Sequence, residues 1–462
     1  MEGVVFMKKF SKKHLLIILC ILLLGGLFLS FKFFWSQNTK GTQSKKESSF
    51  SSSKNTNIKG SSEISESDYI SRGLSKASEE SISSLSSLSS DAILTKSTLP
   101  ASEGSAIPEG QQQYNRKIPE SKPGQLTAGE WDDLHNLSFW AELIKKDAYR
   151  DYLKHWDFNI NESRTIIVKC GDSPVVDAKV IIKELSDKVI WQARTNYNGE
   201  VVFFPKLFNK QSSNKYLITV NTTTENKDLS DVELSSNHPL IINMNANQDS
   251  KIVDIMLVVD TTGSMSDELE YLKTELKNVI KNVKDLNQNN INIRVSCNFY
   301  RDHGDEYVVK PFNFSGNIDE VLSQINNQRA DGGGDFEEAV EEALENAVMQ
   351  HDWSQDAKAR LLFLVLDAPP HYDQAKVEKL KKVVQAASEK GIRIIPIASS
   401  GIDKDTEFLL RFMDMATGGT YVFLTDHSGI GRSHLEASVG LYNVEYLNEL
   451  LVKIINRHLG KP

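Results

Sequence analysis

The stretch KIVDIMLVVDTTGSMS, residues 251–266, decides the fold. Its apolar run is almost unbroken and rich in β-branched residues, which is how a strand buried on both faces reads. It stops at Asp260, and Gly263 permits a tight turn. Beyond the turn Leu269, Leu272, Leu276, Val279, Ile280 and Val283 recur on one helical face. The same strand–turn–helix pattern repeats to the end of the chain. Apolar runs at 291–299, 307–312, 360–367, 392–398 and 420–424 alternate with amphipathic stretches at 318–327, 336–350, 375–390, 406–415 and 444–458. This alternation predicts an α/β doubly wound domain over residues 249–462, Rossmann-like, with a mostly parallel sheet covered on both faces.

Open sheets of this kind bind ligands where loops converge at the carboxyl ends of their strands. Three such loops are rich in oxygen: Asp260-Thr-Thr-Gly-Ser-Met-Ser266, Asp331-Gly-Gly-Gly-Asp335 and Asp367-Ala-Pro-Pro-His371. In the first, Asp260, Thr262 and Ser264 can turn their oxygens toward one point. One carboxylate and two hydroxyls make a hard nest for a divalent cation, Mg2+ ahead of Mn2+ or Ca2+, which carboxylates from the other loops would complete. An open coordination position would accept a carboxylate from a partner. Asp302 and His303, leaving another strand end, and His371 would line the rim.

DTTGSMS, GGGD before a helix and LDAPPH after a strand together resemble the metal-ion-dependent adhesion site of von Willebrand factor A (VWA) domains. The resemblance implies that Asp260, Thr262 and Ser264 take the D-x-S/T-x-S roles and that Asp367 is the third-loop aspartate. The adhesive pattern has a threonine after two glycines in the second loop. Here Gly334 stands at that place, and the second-loop oxygen is assigned to Asp335. A third carboxylate around one ion should tighten the metal and lower the positive charge left for an acidic partner.

Upstream, residues 158–248 hold short β-rich runs at 165–172, 178–185, 189–195, 200–207, 215–222 and 239–245, separated by turn signals such as GDSP and NYNGE. They predict a small β-sandwich. SPVVDAKVIIKE and VIWQARTNYNGEVVF resemble the carboxypeptidase-regulatory-like, immunoglobulin-type (Ig-like) sandwich of secreted proteins. Residues 126–157 carry aromatic and aliphatic residues at helical spacing, among them Trp131, Phe139, Trp140, Tyr152 and Trp156, and read as a short helical segment packed on a neighbouring domain.

Residues 36–125 are dominated by Ser, Lys, Glu, Thr and Gly, too polar to offset chain entropy by burial, and predict a disordered stalk. Before it, residues 15–35 contain LLIILCILLLGGLFLSF, long enough to span a bilayer, preceded by Lys8, Lys9, Lys12 and Lys13. The expectation is an uncleaved single-pass anchor in the cell membrane, with residues 1–14 cytoplasmic and the bulk of the chain outside.

A net charge of −9 supplies no basic field for nucleic acid. Three cysteines, Cys20, Cys170 and Cys297, write neither a disulfide framework nor a zinc spacing. The composite expectation is a binding protein and not an enzyme: an adhesion- or receptor-like module engaging a protein or cell-surface polymer through its cation. An envelope assembly scaffold is the alternative use of the same face. A metal-dependent hydrolase with His371 or His303 as base is the alternative of another class, although no nucleophile elbow, HExxH or P-loop is present.

Overall fold

The computed structural model describes residues 121–461 apart from 161, 208–214, 237, 246–249 and 287–290. The expected anchor, and all but the last five residues of the expected stalk, lie outside the described residues. Among those described, no helix is long and apolar enough to cross a membrane.

The described chain opens with strand β1 (Thr127–Trp131) and helices α1 (Leu137–Leu143) and α2 (Asp147–Trp156). Next come β2 (Arg164–Cys170), β3 (Ser173–Pro174), β4 (Lys179–Lys183), β5 (Val189–Arg194), β6 (Glu200–Phe203), β7 (Lys215–Asn221), β8 (Asn226–Glu233) and β9 (Leu240–Asn243). These eight form two four-stranded sheets. One is ordered β3-β2-β6 with β9 also on β2, the other β5-β4-β7-β8. Alternate residues point inward, as in the burial of Val180 and Ile182 on β4 and of Tyr216, Ile218 and Val220 on β7.

Then the alternation begins: β10 (Ile252–Asp260), α3 (Leu269–Leu286), β11 (Asn292–Tyr300), β12 (Val309–Pro311), α4 (Ile318–Asn326) and α5 (Val340–Glu345). It continues with β13 (Ala359–Leu366), α6 (Gln374–Lys390), β14 (Ile392–Ala398), α7 (Lys404–Thr417), β15 (Tyr421–Leu424), β16 (Glu445–Tyr446) and α8 (Leu447–His458). β13 and β14 are buried along their whole length, as their continuous apolar runs require. Odd and even positions serve opposite faces. Leu361, Phe363 and Val365 join the helices α3, α4 and α8, whereas Leu362, Leu364 and Leu366 join α5, α6 and α7. Local signals end the helices where expected: Asp403 caps Thr406 N–H at the start of α7, and Gly418 closes it in the left-handed conformation.

The large sheet is ordered β12-β11-β10-β13-β14-β15-β1-β16. β11, β10, β13, β14 and β15 run parallel, and β12 and β1 are antiparallel to their neighbours. β1 is the main departure from the sequence reading, which takes residues 126–157 as a short helical segment and places no strand in it. TAGEW is too short and too small-residued to declare a period. Its place is set by its partner, since Ala128 pairs with Leu424 and Trp131 with Tyr421. Gly129 is required there, because a Cβ would lie 2.5 Å from the Phe423 ring and 2.7 Å from Tyr442. The two smaller sheets are therefore inserted between β1 and the rest of the sheet to which it belongs.

Order also begins before residue 126. The N–H groups of Gly124, Gln125 and Leu126 all donate to the buried carboxylate of Glu275 on α3, at 2.9, 2.8 and 3.2 Å. The aromatic helices dock on α7: Trp140 stacks on Phe408 at 5.2 Å, and Asp133 holds Arg411 in a buried bidentate pair at 2.7 and 2.8 Å. A second buried pair, Arg360 with Asp177 at 2.6 and 3.0 Å, ties β13 to the loop before β4.

Candidate metal centre

β10 is the strand from which the chain steps first to β11 on one side and later to β13 on the other. The carboxyl end of such a strand is a crevice between diverging loops. Asp260, its last residue, pairs with Tyr300 of β11, and Val259 pairs with Val365 of β13, so Asp367 leaves the neighbouring strand at the same level. Thr262 donates both its backbone N–H and its hydroxyl to Oδ1 of Asp260, at 2.8 and 2.7 Å. Oδ2 of Asp260 is buried and takes no hydrogen bond. The Thr262 and Ser264 hydroxyls lie 3.1 Å apart.

The glycine loop clamps onto this turn. Gly263 N–H donates to Gly332 O and Asp331 N–H to Thr261 O, each at 3.1 Å. Gly332 and Gly333 have φ of +80° and +76°, a conformation that favours glycine. A Cβ on Gly333 would lie 3.0 Å from Oε1 of Glu338 and 3.5 Å from Cβ of Thr262. Glu338 therefore reaches in over the bare glycine backbone. Its own backbone is fixed by the third loop, its N–H donating to Pro369 O at 2.9 Å. Glu338 is 3% exposed, and its Oε2, like Oδ1 of Asp367, is buried without a partner.

Three buried carboxyls at this end of the sheet thus carry one bare oxygen each. Burial first, and then the charge of Asp367, push Asp260 up to about 7, against the hydrogen bonds from Thr262. Burial pushes Asp367 up to about 6, with the Ser264 hydroxyl opposing and Glu268 adding. Burial and the charges of Asp260, Asp302 and Asp367 push Glu338 up to about 9. Such a group of acids is costly when ionised and unpaired, and a cation placed among them removes that cost. The donors are all oxygen: Asp260, Glu338 and Asp367 with the Thr262 and Ser264 hydroxyls. They fit a hard divalent cation such as Mg2+.

The second loop is placed differently from the sequence expectation. Asp335, assigned there as the second-loop ligand, is exposed and turned to other neighbours. One of its carboxylate oxygens and one ligand atom each of Asp302 and His371 lie within 4.8 Å of one another. Glu338, three residues on, is buried, and the charges of Asp260 and Asp367 act on it. The signal for it was its spacing after GGGD at the start of a long apolar-patterned stretch, where helix formation masked it. The structure delays the helix to Val340 and so frees Glu338.

The residues read as rim sit at the same end of the sheet. Asp302 is buried beside His371, with Nε2 3.3 Å from Oδ1, whereas His303 is half exposed with Nε2 3.5 Å from Glu342. Asp305, not singled out in the sequence, braces the glycine loop by accepting from Gly333 N–H at 2.9 Å. Arg301 is buried and donates to Thr261 O and Arg329 O, which locks two of the loops together. The polar loop at 425–429 serves a local purpose: Asp426 accepts from His434, whose other nitrogen lies 3.0 Å from Glu268.

The family model described as von Willebrand factor type A domain matches residues 254–431. This part of the chain is a VWA domain. VWA domains are generally protein-interaction modules and often bind a divalent metal. The matched stretch excludes β1, β16 and α8, so here the VWA sheet is completed by chain from both outside flanks. A putative ariadne-like RING finger protein of Acanthamoeba polyphaga mimivirus is 32% identical over 124 residues, 26% of this chain. The chain spans only 11% of that relative's length. Among solved structures, the conserved hypothetical protein BatB from Bacteroides thetaiotaomicron is matched over 45% of this chain and 100% of its own, at 14% identity and a TM-score of 0.30.

Proposed function

We propose that this is a membrane-anchored, extracytoplasmic binding protein whose VWA domain holds a divalent cation and through it engages a protein or cell-surface polymer. The observation that carries the reading is the trio of buried, bare oxygens on Asp260, Glu338 and Asp367 around the Thr262 and Ser264 hydroxyls. These five residues would hold the ion, as a metal-ion-dependent adhesion site does. When bound, the ion supplies a Lewis-acidic position that a partner's oxygen can occupy. Thr262 fixes Asp260 so that one oxygen points away from its own turn, and the glycine loop keeps the approach to Glu338 open. With three carboxylates around it, a divalent ion keeps little positive charge. The favoured partner group is therefore an uncharged oxygen, such as a carbonyl or hydroxyl, rather than a carboxylate.

The apolar segment at 15–35 and the polar stretch after it support an anchor and spacer, and the inward-facing alternation of β2–β9 supports an Ig-like sandwich beside the VWA domain. The role is binding and not catalysis. Calorimetric titration of the full-length chain with Mg2+ should show a site that Asp260→Ala abolishes. Pull-down from membranes should recover a partner that chelator releases. A variant binding Mg2+ like the parent sinks the assigned ligands, and metal-dependent turnover of an ester or phosphoester panel sinks the non-enzymatic role.

A further inference from the structure

Asp302, Asp335 and His371 come from three separate loops, and their ligand atoms lie within 4.8 Å of one another. Ligand atoms about 2.0–2.2 Å from one ion stand at most about 4.4 Å apart, so a small side-chain adjustment would let the three share it. The cluster has a second mark of a ligand site. Asp302 is 8% exposed, and its Oδ1 is buried without a hydrogen bond although Nε2 of His371 lies 3.3 Å away. Nδ1 of His371 is likewise buried and unpartnered. The ion pair with Nε2 of His371 leaves Nδ1 of that ring unused, and Asp335 adds a second carboxylate to the group.

We propose that Asp302, Asp335 and His371 form a second divalent-cation site, separate from the Asp260 centre and selective for a borderline ion such as Zn2+ over Mg2+. The selectivity follows from the donors. An imidazole with two carboxylates suits zinc, whereas the first centre offers oxygen alone. Three protein ligands leave coordination positions open toward solvent on the side of exposed Asp335. The two sites share one face of the domain, and the charges of Asp260, Asp367 and Asp302 all act on Glu338. The His303 ring, 5.7 Å from that of His371 and paired with Glu342, borders the second site without entering the cluster.

The proposal stands whether or not the first centre takes Mg2+. Full-length chain purified in detergent and held in excess Mg2+ is titrated with Zn2+, with bound metal counted after equilibrium dialysis. One Mg2+-resistant equivalent of Zn2+ is expected. His371→Ala and Asp335→Asn should each weaken it at least tenfold, and Asp260→Asn should leave it within about twofold. Asp335 is exposed, so its substitution tests the site without burdening the fold. A parent with no Mg2+-resistant equivalent overturns the proposal. So do His371→Ala and Asp335→Asn variants that bind like the parent, or an Asp260→Asn variant that loses the same equivalent.

Discussion

Thr262 directs both its donors at one oxygen of Asp260, the N–H at 2.8 Å and the hydroxyl at 2.7 Å, and leaves the other oxygen buried and bare. A turn that needed only stability would satisfy both oxygens. This one orients a carboxylate and keeps half of it free. Glu338 and Asp367 likewise each keep one buried oxygen without a hydrogen bond, and the consequences below follow from these bare oxygens.

Glu338, and not Asp335, should supply the second-loop oxygen of the centre at Asp260. Glu338→Gln is expected to weaken Mg2+ binding at least tenfold, about 1.4 kcal/mol, and Asp335→Asn to change it less than twofold. Isothermal titration of the two variants decides between them, and the reverse ranking restores Asp335 to the first centre.

The raised carboxyls make the metal-free protein sensitive to pH. Asp260, Asp367 and Glu338 titrate at about 7, 6 and 9 when folded, all above their unfolded values near 4. Over that span the folded state binds more protons than the unfolded one, so stability is fully present below about pH 4 and falls as pH rises toward 9. In chelator, the melting temperature should therefore drop between pH 5 and pH 8 more steeply than in saturating Mg2+. The gain from Mg2+ should grow with pH, accompanied by proton release on binding. A gain that does not change with pH would show that these groups are not ligands.

Gly129→Ala should loosen the upstream edge of the VWA sheet. Its Cβ would meet the Phe423 ring at 2.5 Å, and overpacking of this kind costs about 1–3 kcal/mol. Urea denaturation followed by tryptophan fluorescence should show the loss. A wild-type midpoint would mean that β1 does not pack against Phe423.

Asp133 and Arg411 are 0% and 1% exposed and bond through two parallel contacts. Removing one partner leaves a buried charge, which costs about 3–5 kcal/mol. Asp133→Ala should therefore destabilise the fold far more than Asp132→Ala, whose residue is only partly buried. Equal effects on the denaturation midpoint would remove the pair from the account of how the aromatic helices dock.

Much of this domain was legible in the sequence because its signals are local. KIVDIMLVVD and RLLFLVLD are continuous apolar runs that only a strand covered on both faces can hide, and they became β10 and β13. The resemblance of DTTGSMS led to Asp260, Thr262 and Ser264, whose oxygens the tight turn brings together within five residues. Which acid of the second loop turns inward was not legible in GGGD, because direction around consecutive positive-φ glycines cannot be read from spacing.

The sequence by itself determined the strand–helix alternation, the three acidic loops and the order in which they occur, since periodicity and turn chemistry act over a few residues. Only the tertiary structure decided that Thr127 and Thr425, 298 positions apart, would hydrogen-bond at 2.8 Å along one sheet, and that Glu338 would turn inward while Asp335 turned out. Those outcomes depend on which surfaces meet. Pairing across long stretches of chain, and the space left above a glycine, are set by neighbours that no local window contains.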